Sequence, residues 1–287
     1  MFAKILDGKE LAKVLIDGLK KEVASLKKST GGVPNMINIM IGDHYGSCAY
    51  ANSQKRVAEE IGIRYTLKTL PEGTTQDELV GCLQDLNADP SVNGIMMHKP
   101  FPAHIDYQAA ANILDRAKDV EGINVANVGK MLLGETRMIP CTPAAVMELI
   151  ASTALDVRGR EAIIVGASEI VGKPLSLLLL RSYATVTVCH IATSEAGKLR
   201  DHVARADILI VAVGKANLIP GAWIKSGALV IDVGINRLAD KTVGDVDFDT
   251  AKTRAGFLTP VPGGVGPVTV VMLMRNGLEA YKMQKGK

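Results

Sequence analysis

Glu161-Ala162-Ile163-Ile164-Val165-Gly166-Ala167-Ser168-Glu169-Ile170-Val171-Gly172-Lys173-Pro174 is the stretch that decides the fold. Its start is a short, largely apolar run closed by a glycine, the pattern of a buried strand. An apolar run of helical length, residues 175–180, follows Pro174. Glycines between a strand and a helix let the backbone come close to a pyrophosphate at a helix N-terminus. The turn is not G-x-G-x-x-G: Ser168 stands in the second glycine position and Gly172 comes one residue late. A plain βα turn is therefore the competing reading of this motif taken alone.

Downstream, residues 185–189, 208–213 and 229–233 are further short apolar strands separated by helix-length segments. That spacing describes a parallel α/β unit in the style of a dinucleotide-binding domain. The strand at 185–189 runs into His190-Ile191-Ala192-Thr193-Ser194, which offers neither an acid for a ribose hydroxyl nor an arginine for a 2′-phosphate. Thr193, Ser194 and Lys198 could reach such a phosphate, and a solvated loop explains them equally well.

Upstream, residues 10–26 carry apolar positions at helical spacing and end at Gly31-Gly32. Residues 33–41 read as a buried strand, and 49–61 as a helix with Tyr50, Val57, Ala58 and Ile61 on one stripe, on which position 54 also falls. Strand 63–70, helix 76–86, strand 94–97 and helix 106–114 continue the alternation. Ligands in such layers sit at the C-terminal ends of the strands. In Pro140-Cys141-Thr142-Pro143, Thr142 is expected to cap a helix that connects two domains, with Pro143 in its first position.

Thr259-Pro260-Val261-Pro262-Gly263-Gly264-Val265-Gly266-Pro267-Val268-Thr269 has three glycines and three prolines in eleven residues, so it is a shaped loop. A helix is expected to start at Pro267 and run to about residue 282. A strand at 257–259, a glycine turn and a helix N-terminus together suit a polar or anionic ligand, with a tight βα connection as the alternative.

With 287 residues, 47% hydrophobic and 22% charged, the chain is long enough for two ordinary globular domains. A net charge of +3, one tryptophan, six tyrosines and four phenylalanines argue against a nucleic-acid partner. No signal-like apolar core or membrane-length run is found, so a cytoplasmic protein without a membrane partner is expected. Cys48, Cys82, Cys141 and Cys189 form no metal-type spacing, so reduced thiols and no metal are expected.

Together these pieces resemble the methylenetetrahydrofolate dehydrogenase/methenyltetrahydrofolate cyclohydrolase family, the bacterial bifunctional FolD type. The resemblance covers nearly the whole chain and is most specific at residues 166–174, at Val230-Ile231-Asp232-Val233-Gly234-Ile235-Asn236-Arg237 and at residues 259–267. It implies an α/β fold of two αβα domains flanking a cleft, the second Rossmann-like, and a homodimer. The implied domains are residues 1–140, completed by the C-terminal helix 267–287, for folate, and 141–266 for the cofactor. The implied cofactor is NADP or NAD and the implied substrate a tetrahydrofolate derivative. By the same resemblance Gly166, Ala167, Ser168, Ile170, Gly172, Val213, Gly214 and Ile235 fall at cofactor positions. Ser47, Tyr50, Glu121, Pro262, Gly263 and Gly264 fall at folate positions. The implied chemistry is hydride transfer from the methylene bridge of 5,10-methylenetetrahydrofolate, then hydrolysis of the methenyl cation to 10-formyltetrahydrofolate.

The departures from the family pattern concern the second step. Tyr50 is kept, but Gln54 stands where the family has the lysine that serves hydrolysis, and Lys55 is rotated by about 100° away from that face. His98-Lys99-Pro100-Phe101-Pro102 replaces a Gln-Leu-Pro-Leu-Pro stretch, so His98 takes the place of the glutamine that orients the lysine. The carboxylate that grips the pterin ring is Glu121, one methylene longer than the family's aspartate. Tyr50, Gln54, His98 and Glu121 are thus the candidate catalytic set. His98 is either an acid/base group near neutral pH or a polar gap-filler exchanging a hydrogen bond with Gln54, the latter being the expected role. A lost general acid/base group is worth about 10²- to 10⁴-fold, so a dehydrogenase with weak or absent cyclohydrolase activity is expected. Two rival readings are a FolD-like enzyme passing the one-carbon unit to another acceptor and a silent folate-binding paralogue. The segment 191–197 is a few residues longer than the family's, which leaves NADP against NAD open.

Overall fold

The computed structural model describes residues 2–135 and 137–286, and of Tyr45 the backbone alone. In chain order, β1 (Lys4–Ile5) and α1 (Gly8–Thr30) lead into β2 (Asn35–Ile41), α2 (Tyr45–Ile61), β3 (Arg64–Leu70) and α3 (Gln76–Ala88). Next come β4 (Gly94–Met97), α4 (Tyr107–Ile113), α5 (Val125–Leu133) and α6 (Cys141–Ala151). The chain continues through β5 (Glu161–Val165), α7 (Gly172–Arg181), β6 (Thr185–Cys189), α8 (Ile191–Glu195), α9 (Leu199–Ala204) and β7 (Ile208–Val211). It then forms β8 (Leu229–Asp232), β9 (Asn236–Leu238), β10 (Lys241–Val243), α10 (Phe248–Ala251), β11 (Phe257–Leu258) and α11 (Val265–Gln284).

The chain divides into two compact units. One takes the residues up to Lys13 together with Thr142–Thr269; the other takes Val14–Cys141 and the chain from Val270 onward. The domain scheme read from the sequence puts residues 1–140 together. In the structure β1 pairs in parallel with β11, so the first strand joins the sheet of the other unit. Two residues are too few to show a period, which is why β1 has no signature in the sequence. The outer limits of that scheme, Met1 and Lys287, lie outside the described residues.

The first unit holds a parallel six-stranded sheet ordered β1-β11-β8-β7-β5-β6. The chain leaves β5 for β6 on one side and returns to β7 on the other, so a topological switch point lies between β5 and β7. Ile163, Val165, Leu209, Val211, Val230 and Leu258 pack into its core, each 2% exposed or less. The antiparallel hairpin β9–β10 was not foreseen; it is short and largely exposed, with no alternating apolar face to reveal it.

The second unit is built on a three-stranded parallel sheet, β3-β2-β4. The central strand β2 buries Met36, Ile39, Met40 and Ile41, while the edge strand β3 alternates and leaves one face partly open. Helix α3 begins with a capping box: the Thr75 side chain accepts from Glu78 N–H at 3.3 Å, and Glu78 Oε2 accepts from Thr75 N–H at 2.8 Å. Helix α5 was missed in the sequence; Asn124 caps it by accepting from Ala126 N–H at 2.8 Å. Two helix starts differ from expectation. Helix α6 begins at Cys141 instead of after a Thr142 cap, and α11 at Val265 instead of Pro267. Both prolines still lie in a first turn, where a missing N–H forfeits no intrahelical bond.

Candidate active site

Helix α2 places Ser47, Tyr50 and Gln54 on its inward face, and β2, β3 and β4 supply what they meet. Gln54 is completely buried. Its Oε1 accepts from Asn38 Nδ2 at 2.9 Å and from Tyr65 Oη at 2.8 Å, while its Nε2 faces Met96 Sδ at 3.4 Å. Asn38 projects from the middle of β2 and Tyr65 from β3. A buried polar group needs partners, and these two donors take up the amide oxygen.

His98 follows β4 and is 2% exposed, its ring set edge-on to Tyr50 with centroids 6.0 Å apart. Burial pushes its imidazole down to about 4, so it is neutral at neutral pH, and its Nε2 has no hydrogen-bond partner. The expected exchange between His98 and Gln54 is not formed: Asn38 and Tyr65 occupy the amide oxygen and the amide NH₂ is turned to Met96 Sδ. Ser47 Oγ donates to the Lys99 carbonyl at 2.9 Å, pinning the loop after β4 to α2. Lys99 Nζ lies 3.7 Å from the centroid of the Tyr107 ring.

Glu121 arrives on the segment that pairs with β4 through the bridge from Ile95 to Asp119. Its Oε2 accepts from Met97 N–H at 3.4 Å. Burial, together with the nearby Asp119 carboxylate, raises its carboxyl to about 8, only partly offset by the Met97 N–H and the charge of Lys99. Asp119 is fully buried and is itself the anchor of the loop, accepting from Glu121 N–H at 3.3 Å, Asn124 N–H at 2.9 Å and Asn127 Nδ2 at 2.8 Å. Burial also raises the Tyr50 phenol and the Cys141 thiol, and each is raised further by the field of Glu121. Tyr50, Gln54, His98 and Glu121 are thus gathered in one unit. Asn38, Tyr65 and Met96 belong with them and were missed; Asn38, a polar residue flanked on both sides by the apolar residues of β2, was the available signal.

The other unit carries the remaining predicted positions. Gly166 has φ +124°, and a Cβ there would stand 2.3 Å from the Ala212 carbonyl oxygen; one at Gly172 would stand 1.9 Å from the Gly166 carbonyl oxygen. These glycines fold the turn after β5 tightly onto itself and against the end of β7, on the two sides of the switch point. Ala167, Ser168 and Ile170 line the outside of the turn, with Ser168 Oγ accepting from Val171 N–H at 3.2 Å. Helix α7 then presents its N-terminus there, starting at Gly172. Val213, Gly214 and Ile235 sit on the loops after β7 and β8, with Val213 and Ile235 exposed. The fit to a dinucleotide is therefore good: a glycine cradle, a helix N-terminus and a switch point coincide. Pro262 is exposed, Gly263 has φ +105°, and the Gly263 carbonyl accepts from Gly8 N–H at 2.9 Å, tying this loop to the start of α1.

Such a constellation defines an α/β protein with a nucleotide-binding unit and a second unit that gathers a buried polar cluster. Residues 6–121 match the family model for the tetrahydrofolate dehydrogenase/cyclohydrolase catalytic domain, and residues 140–285 the model for its NAD(P)-binding domain. The bifunctional protein FolD of Acetivibrio thermocellus is 47% identical over 285 residues, covering 99% of each chain. The crystal structure of the bifunctional FolD dehydrogenase/cyclohydrolase from Campylobacter jejuni superposes with a TM-score of 0.94 at 41% identity, covering 98% of this chain and 99% of that one. The N5,N10-methylenetetrahydrofolate dehydrogenase-cyclohydrolase of Trypanosoma brucei, solved with NADP and an inhibitor, gives 0.96 at 37% identity, covering all of both chains. The chain belongs to the tetrahydrofolate dehydrogenase/cyclohydrolase family. Among the described residues no helix is long and apolar enough to cross a membrane.

Proposed function

We propose that the protein is a 5,10-methylenetetrahydrofolate dehydrogenase, using NADP or NAD, whose methenyl hydrolysis step is weak or absent. The relatives bear names that include both activities, so the dehydrogenase half rests on the family and the loss of the second half rests on this chain's own residues. The observation that carries it is Gln54. At the position of the family's lysine stands an amide that cannot ionise, sealed from solvent, with its oxygen held by Asn38 and Tyr65.

The nicotinamide cofactor, when bound, supplies the hydride acceptor. The turn at residues 166–172 and the N-terminus of α7 are proposed to hold its pyrophosphate, and Val213, Gly214 and Ile235 its nicotinamide end. In the folate pocket Tyr50 offers a ring face. Glu121, kept protonated at neutral pH, can donate through its O–H and accept through its carbonyl oxygen, a pairing suited to the edge of a pterin. Pro262, Gly263 and Gly264 are proposed to face the folate. Hydride departure leaves a methenyl cation and moves no proton, so it needs positioning alone. Hydrolysis must add water and remove a proton, and Gln54 can do neither part of that work. A homodimer in the cytoplasm goes with this reading by family resemblance.

The test is a paired assay on the purified protein: reduced-cofactor formation from 5,10-methylenetetrahydrofolate with NADP and with NAD, beside decay of the methenyl compound. Turnover in the first with hydrolysis little above the uncatalysed rate is expected. Enzymatic hydrolysis as fast as hydride transfer would refute the split, and silence in the first would refute the dehydrogenase.

A further inference from the structure

Two buried carboxylates organise the loops of the nucleotide-binding unit. Asp245 is completely buried. Its Oδ2 accepts from the backbone N–H groups of Val213 at 2.7 Å and Gly214 at 3.0 Å, and its Oδ1 from Lys215 N–H at 2.7 Å and Asn236 Nδ2 at 2.9 Å. Three consecutive backbone N–H groups make a concave anion-binding nest; in this chain the protein's own carboxylate fills it. Asp232, 3% exposed, holds the segment that delivers Asp245: its Oδ1 accepts from Gly234 N–H and Asp245 N–H, both at 3.0 Å, and its Oδ2 from Val246 N–H at 2.8 Å. Asp232 N–H in turn donates to Thr259 Oγ1 at 2.8 Å, at the head of the proline-glycine loop. The packing leaves no room for side chains: a Cβ at Gly234 would stand 2.1 Å from Asp245 Cγ, and one at Gly244 1.9 Å from Asp232 Oδ2.

What the carboxylate holds is an apolar surface. Val213 is 39% exposed and Ile235 71%, on two loops that follow different strands. Each loop is tied to Asp245, the first through its backbone and the second through the neighbouring Asn236 side chain.

We propose that Asp245 is a positioning residue for the nicotinamide cofactor: by filling the nest at residues 213–215 and binding Asn236, its carboxylate sets Val213 and Ile235 as one receiving surface. This rests on the reading that those residues meet the cofactor. A further consequence is that the N–H groups at 213–215 are unavailable to phosphate, which leaves the turn at 166–172 to bind the pyrophosphate. Asn in place of Asp245 keeps the shape but turns an NH₂ group toward one pair of donors, whichever way the amide is set.

The experiment compares wild type, Asp245→Asn and Asn236→Ala in the full chain, measuring dissociation constants for NADP and NAD and for 5,10-methylenetetrahydrofolate separately, with thermal melting alongside. Asp245→Asn is expected to weaken cofactor binding at least tenfold, Asn236→Ala a few-fold, with folate binding within about twofold of wild type. A folded Asp245→Asn with unchanged cofactor affinity overturns the proposal, as does an equal loss of cofactor and folate binding, which would mark general damage. Should Asp245→Asn not fold, Asn236→Ala decides: unchanged cofactor affinity overturns the proposal. If wild type binds neither NADP nor NAD, the dehydrogenase reading falls, and this one with it for a separate and visible reason.

Discussion

Glu121→Gln tests the electrostatics of the proposed folate site most directly. In the folded chain the carboxyl is raised from 4.5 to about 8, chiefly by burial and secondarily by Asp119. Between those values the folded state holds a proton that the unfolded chain has released, so stability falls as pH rises from about 4.5 to about 8 and is flat above. At about 1.4 kcal/mol per pKa unit the shift sets a ceiling on the order of 5 kcal/mol; the carboxyl keeps part of its surface open and water relaxes it, so about 2–3 kcal/mol is the working expectation. His98 acts with the opposite sign: its folded value of about 4 lies below 6.5, so its contribution is lost as pH falls through that window. Asp232, raised to about 7, acts in the same direction as Glu121. Comparing variant with wild type cancels both. Glutamine retains an oxygen to accept from Met97 N–H and cannot ionise. Urea unfolding followed by far-ultraviolet circular dichroism at pH 5 and pH 8.5 should therefore show Glu121→Gln gaining about 2–3 kcal/mol on wild type between the two conditions. A difference that does not change with pH would refute the assignment of a neutral carboxyl to this site.

Asn38→Ala and Tyr65→Phe each remove one of two donors to the buried Gln54 oxygen and should cost about 1–3 kcal/mol, with the double variant losing more than the sum once the oxygen is unpaired; urea titrations read this. Gly172→Ala puts a methyl 1.9 Å from the Gly166 carbonyl oxygen, so the turn must open. At least a tenfold loss of cofactor affinity and a lower melting temperature are expected by calorimetry. Gln54→Lys places an ammonium beside Tyr65 Oη, which can accept, and Asn38, whose Oδ1 has no partner. Methenyl hydrolysis should rise by at least tenfold in the spectrophotometric assay, with the dehydrogenase rate changed less.

The alternating strands and helices were legible because their apolar periods are local. Residues 94–97 and 161–165 were read to the residue, as short apolar runs bounded by turn signals allow. What escaped was made by partners far apart in sequence. Asn38 and Tyr65 sit sixteen and eleven positions from Gln54, on two different strands. Asp245 lies thirty-two positions from Val213. Asp232 was in plain view within the motif at residues 230–237, yet nothing in that motif says its oxygens will bind Gly234, Asp245 and Val246. The pattern gave Gln54 as a changed residue; only the neighbours from β2 and β3 show that its amide is held and sealed.

The groups gathered around Gln54 are at most weak proton acceptors at neutral pH. The Gln54 amide never ionises, the His98 imidazole is held near 4, the Glu121 carboxyl is already protonated, and the Tyr50 phenol is displaced upward. Lysine at position 54 would have added a formal charge to a site without solvent, at a desolvation cost that Asn38 and Tyr65 would have to offset; an amide there needs only the two hydrogen bonds it has. Hydride transfer to a cofactor needs no proton acceptor, whereas opening a methenyl bridge with water does. On the function proposed above, such a site would discriminate between the two steps by what its groups can accept, with the family fold unchanged.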